Sequence, residues 1–220
     1  VPLITGTYEA LKERNISERT CRLYDYSVGS YKGAPAQLAN YRDENGLACS
    51  QHVRYGPGKN FAWHARAKNI KLQLFGQHLG SDGTLILCEG EIDAMSVYEC
   101  LHKFRNKEKF VVASIPDGAQ SAKKSASSQL AWICGFKRVV IFMDTDEPGR
   151  KAAHALATLI GPTSAIASGF AYKDPNEAWL QSDHNAILEA INNAKRHRPD
   201  SIVHAPDLLA KILKPENRYG

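Results

Sequence analysis

Four acidic residues follow or adjoin short apolar runs, where the catalytic carboxylates of an α/β protein would lie. Glu89 comes directly after the apolar run 84–88, and Asp93 follows four residues later. Asp144 and Asp146 follow a second apolar run, residues 138–143. Ligands of an open parallel sheet bind outside the carboxyl ends of its strands. We therefore expect these carboxylates to meet at one edge of a sheet, with Asp144 and Asp146 pointing the same way if the backbone stays extended.

Such a cluster predicts a metal site. Carboxylates that converge without a balancing basic residue repel one another, and the cluster persists when a cation neutralises it. Oxygen ligands alone select a hard ion, which in a phosphate-handling site means Mg²⁺ or Mn²⁺. For a lone Asp-x-Asp pair, helix capping by Asp144 or Asp93 would be the better interpretation. Glu89 at one strand end and the pair at another argue together for phosphoryl chemistry.

The first part of the chain is basic. Residues 1–80 hold 11 Lys/Arg against 6 Asp/Glu, and residues 45–81 contain no acidic residue. That interval mixes basic with aromatic side chains, namely His52, Arg54, Tyr55, Lys59, Phe61, Trp63, His64, Arg66, Lys68, Lys71 and His78. Cations follow phosphates while rings stack on bases, so the segment is either a groove for single-stranded nucleic acid or a solvated basic face. The segment alone leaves both open.

Apolar periodicity predicts an α/β fold from residue 84 onwards. Runs typical of buried strands lie at 84–88, 110–115, 138–143 and 163–168, and helical patterns at 92–104, 121–133 and 150–160. Strands that alternate with helices imply a parallel sheet of about four strands covered on both faces. A further helix is predicted at 186–196.

The preceding residues predict a mixed α+β subdomain. A short helical pattern covers 8–14, and Ser17 is predicted to cap a second helix. The Asn-Gly pair within residues 43–46 favours a hairpin between strands 37–42 and 48–55. We predict three parts: a basic N-terminal subdomain at 1–80, a catalytic subdomain at 81–197, and a linker at 198–220.

Cysteine usage and the absence of targeting patterns predict a soluble, cytoplasmic protein. The five cysteines form no Cys-x-x-Cys pair, which predicts reduced, buried thiols. No apolar stretch is long enough to span a bilayer, and the N-terminus lacks a signal-peptide pattern. The first residue is Val1, so we expect the sequence to be a fragment of a longer protein.

Two motifs carry a family resemblance. Glu89-Gly-Glu-Ile-Asp93, followed by Asp144-Thr-Asp-Glu-Pro-Gly-Arg, resembles the Toprim module of primases, topoisomerases and some nucleases. Flanking segments occur in the order seen in the primase half of the primase-helicases of T-odd phages. These segments are Tyr41-Arg-Asp-Glu-Asn-Gly, Ser50-Gln-His-Val-Arg, Lys59-Asn-Phe, Leu74-Phe-Gly, Ala122-Lys-Lys and Lys173-Asp-Pro-Asn-Glu. The similarity covers nearly the whole chain.

The resemblance implies a Toprim fold and a DNA primase that makes short RNA primers on single-stranded DNA from ribonucleoside triphosphates. It implies that Glu89 acts at the catalytic centre, either as a metal ligand or as the proton acceptor, and that Asp144 and Asp146 hold metal, with Asp93 and Asp174 completing the cluster. Contacts to nucleotide or template would come from His52, Arg54, Lys59, Lys68, Lys71, Lys123 and Lys124. Phage relatives carry a lysine in place of His52. Asp117 departs from a loop that usually lacks an acid, and we interpret it as a turn residue.

Three rival functions use parts of the same pattern. A topoisomerase needs a nucleophilic tyrosine on a separate winged domain, and nothing in the sequence resembles one. A Toprim nuclease would admit water to the same carboxylates in place of a 3′-hydroxyl. The third is a non-catalytic module that binds single-stranded DNA beside a helicase.

The resemblance also implies a ring helicase and a zinc-binding domain as partners, fused or bound, and the host-cell cytoplasm as the location if a phage encodes the protein.

Overall fold

Two four-stranded sheets organise the part of the chain that the computed structural model describes, residues 1–58, 60–66, 70–105 and 107–197. The first sheet is antiparallel, with the order β1-β2-β3-β4. Its strands are β1 (Tyr26–Tyr31), β2 (Ala34–Arg42), β3 (Ala48–Tyr55) and β4 (Asn60–His64). The predicted hairpin joins β2 to β3, with Gly46 at a φ of 80° and the Asp43 carboxylate accepting from the amides of Asn45 and Leu47.

The N-terminal helices differ in how well the sequence predicts them. Helix α1 (Glu18–Leu23) begins after Ser17, whose hydroxyl accepts from the Thr20 amide as predicted. The helix predicted at 8–14 is wrong, since only a 3-10 turn forms there, at Lys12–Arg14. The backbone of this segment forms a different hydrogen bond, in which the Leu11 amide donates to the Ile16 carbonyl. Asn15 adopts a left-handed conformation that ends the turn.

The second sheet is the predicted parallel sheet. Strands β5 (Thr84–Cys88), β6 (Phe110–Ser114), β7 (Arg138–Phe142) and β8 (Ser164–Ile166) lie in the order β6-β5-β7-β8. Every adjacent pair is parallel. All four strand carboxyl ends therefore face one edge, and β5 and β7, whose ends carry the acidic motifs, are neighbours.

Helices cover both faces of this sheet. They are α2 (Glu91–Phe104), α3 (Gly118–Ser128), α4 (Leu130–Cys134), α5 (Glu147–Ile160), α6 (Pro175–Leu180) and α7 (His184–Asn192). The helix predicted at 121–133 is two helices that break at Gln129, whose side chain donates to the Leu72 carbonyl. The helix predicted at 186–196 ends early because Lys195 forms a backbone bridge with Ile166.

The two sheets share a hydrophobic core. Tyr24 and Phe75 of the N-terminal part pack in one cluster with Ile86 and Val112 of the parallel sheet, and the Tyr24 hydroxyl donates to the Val112 carbonyl at 3.0 Å. A second cluster lies under α3, α4 and α5. The predicted boundary between residues 80 and 81 stays a prediction, and the predicted linker at 198–220 lies outside the described residues.

All five cysteines are free. Cys21, Cys88 and Cys100 are buried, while Cys49 is partly exposed. The expectation of burial is wrong for Cys134, which is exposed at the end of α4. Across the described ranges, no helix combines the length and apolar character needed to cross a membrane.

Candidate active site

A cleft of about 590 Å³ lies between the carboxyl edge of the parallel sheet and one face of the antiparallel sheet. One wall comes from the antiparallel sheet, where strand register brings its residues together: His52 lies opposite Trp63, and Arg54 opposite Phe61. Side chains of directly opposed residues project from the same face of a sheet. The wall therefore combines two basic or titratable side chains with two aromatic rings, the combination that single-stranded nucleic acid and nucleotides require.

The opposite wall consists of the loops that follow β5 and β7. Glu89 comes directly after β5, and its Oε2 accepts from the Asp144 amide at 3.4 Å. Asp93 lies in the first turn of α2 and accepts from the Asn176 amide at 3.3 Å. Asp174 begins α6, where it accepts from the Glu177 amide, and it also lines the cleft. The structure thus brings four of the five predicted metal ligands to one cleft.

We call Glu89, Asp93 and Asp144 the floor carboxylates. They line the cleft, and their negative charges repel one another. Burial, followed by the charges of Glu89 and Asp174, raises the pKa of Asp144 to about 7. Burial also raises the pKa of Glu89, with the charge of Asp146 acting in the same direction. The pKa of Asp93 lies well above its ordinary value, through burial and then the charge of Asp174. The floor is an unbalanced concentration of negative charge.

A lysine reaches this floor, contrary to the expectation that no basic residue balances it. The Lys173 Nζ lies 3.7 Å from Asp144 Oδ2, and the charge of Asp144 raises the pKa of Lys173. The lysine side chain is 55% exposed while that of Asp144 is 15% exposed. Solvent therefore screens the ammonium, and one lysine does not offset three carboxylates.

The donor set fits a hard divalent cation, because every candidate ligand in the floor is a carboxylate oxygen. In the described ranges, no three His, Cys, Asp or Glu side chains stand close enough together to hold an ion by themselves. Mg²⁺ usually keeps several waters and takes one or two carboxylates together with substrate phosphates. The spacing of the floor carboxylates is compatible with an ion that keeps several waters, and not with an ion ligated by protein side chains alone.

Asp146 occupies a different position from the other predicted ligands. Strand β7 ends at Phe142, so strand alternation does not extend to Asp146. Its side chain caps α5 by accepting from the Gly149 amide at 2.9 Å, and it is not among the residues that line the cleft. The capping interpretation, weighed for Asp144 and Asp93, applies to Asp146. Its role as a metal ligand stays a prediction.

The predicted nucleotide-binding residues fall into three groups. His52 and Arg54 line the cleft. Lys71, Lys123 and Lys124 are exposed and do not line it, the last two lying on α3. Lys59 and Lys68 lie outside the described residues. The roles of all these side chains stay predictions.

Two further carboxylates of this edge, Glu91 and Asp117, face the antiparallel sheet, and we call them the rim carboxylates. Glu91 Oε1 accepts from the Tyr41 hydroxyl and from His52 Nδ1, each at 2.7 Å. Asp117 pairs with Arg66, whose Nη2 lies 2.9 Å from its Oδ2, and it accepts from the Trp63 indole nitrogen. Asp117 is therefore more than the turn residue we expected.

These pairings lower the pKa values of the rim carboxylates, whereas the pKa values of the floor carboxylates are raised. Burial alone would raise the pKa of Glu91, but the hydrogen bond and charge of His52 lower it on balance. Asp117 behaves alike, since the hydrogen bonds from Arg66 and Trp63 outweigh its burial and lower its pKa. Glu91 is a site residue that the sequence alone does not mark, although it stands between Glu89 and Asp93. Its partner His52 is 39 residues away in sequence, and only tertiary structure brings the two together.

Comparison with known proteins agrees with this architecture. Residues 6–64 match the family described as "Bacteriophage T7 DNA helicase/primase, N-terminal a+b fold", and residues 86–179 match the Toprim-like family. The primase fragment of the bacteriophage T7 primase-helicase is 34% identical and superposes with a TM-score of 0.75, covering 84% of this chain and 75% of that one. The chain belongs to the T7-type primase domain family. The predicted Toprim fold and the resemblance to the primases of T-odd phages are confirmed.

Other relatives extend the comparison. A T7 primase domain, in a complex with the lagging-strand DNA polymerase, an RNA/DNA hybrid and dTTP, is 34% identical with a TM-score of 0.77 and covers 87% of this chain and 94% of that one. The DNA helicase/primase of Enterobacteria phage T3 is 33% identical over 94% of this chain, which spans 35% of that relative's length. The Aquifex aeolicus primase, at 17% identity and a TM-score of 0.59 over 83% of this chain and 54% of that one, shares the fold.

Proposed function

We propose that this chain is a DNA primase domain that synthesises short RNA primers on single-stranded DNA by metal-dependent nucleotidyl transfer during DNA replication. Membership of the T7-type primase domain family supports the proposal. The observation that carries it is the single cleft, in which Glu89 and Asp144 share one space with His52 and Arg54. Primer synthesis requires carboxylates for a metal and cations for triphosphate and template in one place.

The proposed reaction joins two nucleotides. The 3′-hydroxyl oxygen of one nucleotide forms a bond to the α-phosphorus of the next, the bond from that phosphorus to the bridging oxygen of the β-phosphate breaks, and pyrophosphate leaves. The hydroxyl proton passes to a nearby base or to water. A bound Mg²⁺ or Mn²⁺ would lower the pKa of the attacking hydroxyl and stabilise charge on the leaving group.

Each group in the cleft has a proposed role. We assign Glu89 to the reacting centre, where it holds the ion together with Asp93, Asp144 and Asp174, and we assign Asp146, at the start of α5, to the same ion. Template and triphosphate contacts are assigned to His52, Arg54, Lys59, Lys68, Lys71, Lys123 and Lys124. The Phe61 ring, 53% exposed, offers a face on which a base can stack.

The T3 relative is named a helicase and primase together, and this chain corresponds to about a third of it. The Aquifex relative was crystallised with a zinc-binding domain beside its RNA polymerase domain. We propose that a ring helicase and a zinc-binding domain, fused or bound, act together with this domain. They would supply template movement and the choice of the initiation sequence.

The test is primer synthesis by the purified chain. Single-stranded DNA of mixed sequence, ribonucleoside triphosphates and Mg²⁺ or Mn²⁺ are incubated together, and labelled di- to tetranucleotides are measured. The wild type is expected to make them, and Asp144→Asn to lose at least about 100-fold in rate, the scale on which removal of one charge-stabilising group acts. The matched control is Asp82→Asn, an exposed aspartate at the opposite end of β5 that pairs with Lys109.

Other outcomes would redirect the proposal. Degradation of the template without new oligonucleotides would identify a Toprim nuclease. Binding of single-stranded DNA with neither synthesis nor degradation, repeated with a zinc-binding domain added in trans, would identify a non-catalytic module. Equal activity in Asp144→Asn and Asp82→Asn would remove the floor carboxylates from the mechanism.

A further inference from the structure

Glu91 stands in the acidic motif but makes contacts unlike those of its neighbours. Its side chain is 13% exposed, and its Oε1 receives two hydrogen bonds of 2.7 Å, from the Tyr41 hydroxyl and from His52 Nδ1. Both donors come from the antiparallel sheet. The geometry points to a carboxylate used to hold another side chain rather than to bind an ion.

The side chain that Glu91 holds, His52, is also packed between two aromatic rings. The His52 ring stacks on Phe61 at a centroid distance of 5.2 Å and an interplanar angle of 16°. It also stacks on Trp63 at 4.9 Å and 28°. Trp63 is in turn fixed by its hydrogen bond to Asp117 and by the Arg66 guanidinium, 4.2 Å from its ring centroid. Little rotational freedom is left to the imidazole.

These contacts decide which ring nitrogen of His52 is available. The Glu91 carboxylate can only accept a hydrogen bond, so Nδ1 carries a proton and Nε2 is the nitrogen left for a ligand in the cleft that His52 lines. The charged groups that face the ring are Glu91 from α2, Asp117 from the loop before α3, Arg66 after β4, and Arg54 from β3 itself. Burial lowers the pKa of His52 and Arg66 acts in the same direction, but the hydrogen bond and charge of Glu91 and the charge of Asp117 outweigh them and raise it, which favours the protonated ring.

We propose that Glu91 is a positioning residue, which holds His52 so that Nε2 donates to a phosphate of the incoming nucleoside triphosphate. The proposal rests on the proposed function, because it assigns the phosphate to a primase substrate. It separates Glu91 from Glu89 and Asp93, two residues away on either side, which remain with the metal. A carboxylate of the acidic motif thereby serves substrate binding through the opposite wall of the cleft.

The test is a set of variants at the two positions, with Mg²⁺-ATP binding measured by calorimetry and primer synthesis measured by initial rates. Glu91→Gln keeps a hydrogen-bond acceptor for Tyr41 but removes the charge. We expect it to weaken ATP binding and raise the KM about 5- to 10-fold, with kcat within about 3-fold, since a charge-assisted hydrogen bond becomes a neutral one. His52→Ala should have a similar effect, and the double variant should bind no more weakly than either single variant.

Rescue distinguishes positioning from a structural role. In a His52→Lys background the ammonium carries its own charge, so adding Glu91→Gln should change ATP binding by less than about 2-fold. Glu99→Gln is the matched control, because Glu99 lies on the same helix and accepts from the Ser17 amide and hydroxyl outside the cleft. It should leave ATP binding unchanged.

Several results would overturn the proposal. A Glu91→Gln variant that binds ATP like the wild type would remove the positioning role. A loss of Mn²⁺ binding together with a collapse of kcat would make Glu91 a metal ligand instead. An equal loss on adding Glu91→Gln in the wild-type and His52→Lys backgrounds would show a structural effect. If wild-type protein makes no primers but ATP binding still depends on both residues together, the proposed function fails while the coupling stands.

Discussion

The floor and the rim of the cleft use the same residue types in opposite ways. Burial raises the pKa of each of the floor carboxylates Glu89, Asp93 and Asp144, and the charges of neighbouring carboxylates act in the same direction. The rim carboxylates Glu91 and Asp117 have lowered pKa values because His52 and Arg66 reach them from the antiparallel sheet. The difference lies in what each carboxylate faces, since all five follow strands of the same sheet edge.

This difference gives the antiparallel sheet two roles. It supplies a basic and aromatic wall, and it also neutralises the acidic residues nearest to it. Of these five carboxylates, the three that the sheet does not pair keep an excess of negative charge. On our proposal, the N-terminal sheet determines which acidic side chains of the Toprim edge stay available for a metal ion.

The largest expected effect is on the backbone that fixes the floor. A Cβ at Gly149 would lie 2.2 Å from the Asp144 carbonyl oxygen, so Gly149→Ala must move the turn that carries Asp144. Overpacking of this kind costs about 1–3 kcal/mol or more, and we expect Tm to fall by about 5–10 °C with primer synthesis lost. Gly58→Ala is the control, because only the Asn60 side chain lies near that position. Equal melting of the two variants would contradict this account of the turn.

A smaller loss of stability is expected at the rim. Asp117→Asn keeps an acceptor for Trp63 and tolerates the left-handed backbone, with a φ of 66°, but it leaves Arg66 without its charged partner. Both side chains are partly exposed, at 31% for Asp117 and 41% for Arg66, so the cost should be about 1 kcal/mol. Tm should fall by about 2–4 °C. A rise in Tm, measured by calorimetry, would show that the charge of Asp117 destabilises the fold, as we expect for the floor carboxylates.

The same substitution in the floor should act in the opposite direction. In the presence of a chelator, Asp144→Asn removes a carboxylate whose ionisation is opposed by burial and by Glu89, so Tm should rise by about 1–3 °C while activity is lost. Because the folded pKa is about 7 against an ordinary value of 3.8, the wild type loses stability as pH rises between those values. The advantage of the variant should vanish near pH 4 and be complete above pH 7. A variant less stable than the wild type at pH 8 would contradict the repulsion.

The smallest effect on folding is expected outside the cleft. Lys124 is exposed on α3 and belongs to neither floor nor rim. Lys124→Ala should leave Tm within about 1 °C, as surface substitutions commonly do. It should weaken single-stranded DNA binding and lower the slope of log K against log salt by about 0.7, one phosphate contact. An unchanged slope in a fluorescence titration would remove Lys124 from the template path.

Local signals predict the floor and the parallel sheet. Glu89 and Asp144 follow continuous apolar runs, and the ends of parallel strands meet at one edge whatever the loops do. Alternation is a weaker guide beyond the strand end. Asp146 lies four residues after Phe142, where β7 ends, and its side chain caps α5, so its pointing with Asp144 stays a prediction. Strand alternation says nothing about where a strand stops.

The rim could not be predicted in the same way. Glu91 and His52 are 39 residues apart, and Asp117 and Arg66 are 51 apart, with one member of each pair in the N-terminal part and the other at the edge of the parallel sheet. Alternation along β3 and β4 could have shown that His52 and Trp63 share a face. It could not have shown which acidic residues that face would meet, because this depends on how the two sheets pack through their common core.

The central claim is that the floor carboxylates hold the metal while the rim carboxylates are committed to the antiparallel sheet. Titration of Mn²⁺, followed by electron paramagnetic resonance of the free ion, tests it most directly on the wild type, Asp144→Asn and Asp117→Asn. The account predicts that Asp144→Asn binds Mn²⁺ at least about 10-fold more weakly, the lower range for a change at a metal site, and that Asp117→Asn binds it within about 2-fold of the wild type. Equal affinities in all three proteins, or a loss in Asp117→Asn alone, would contradict it.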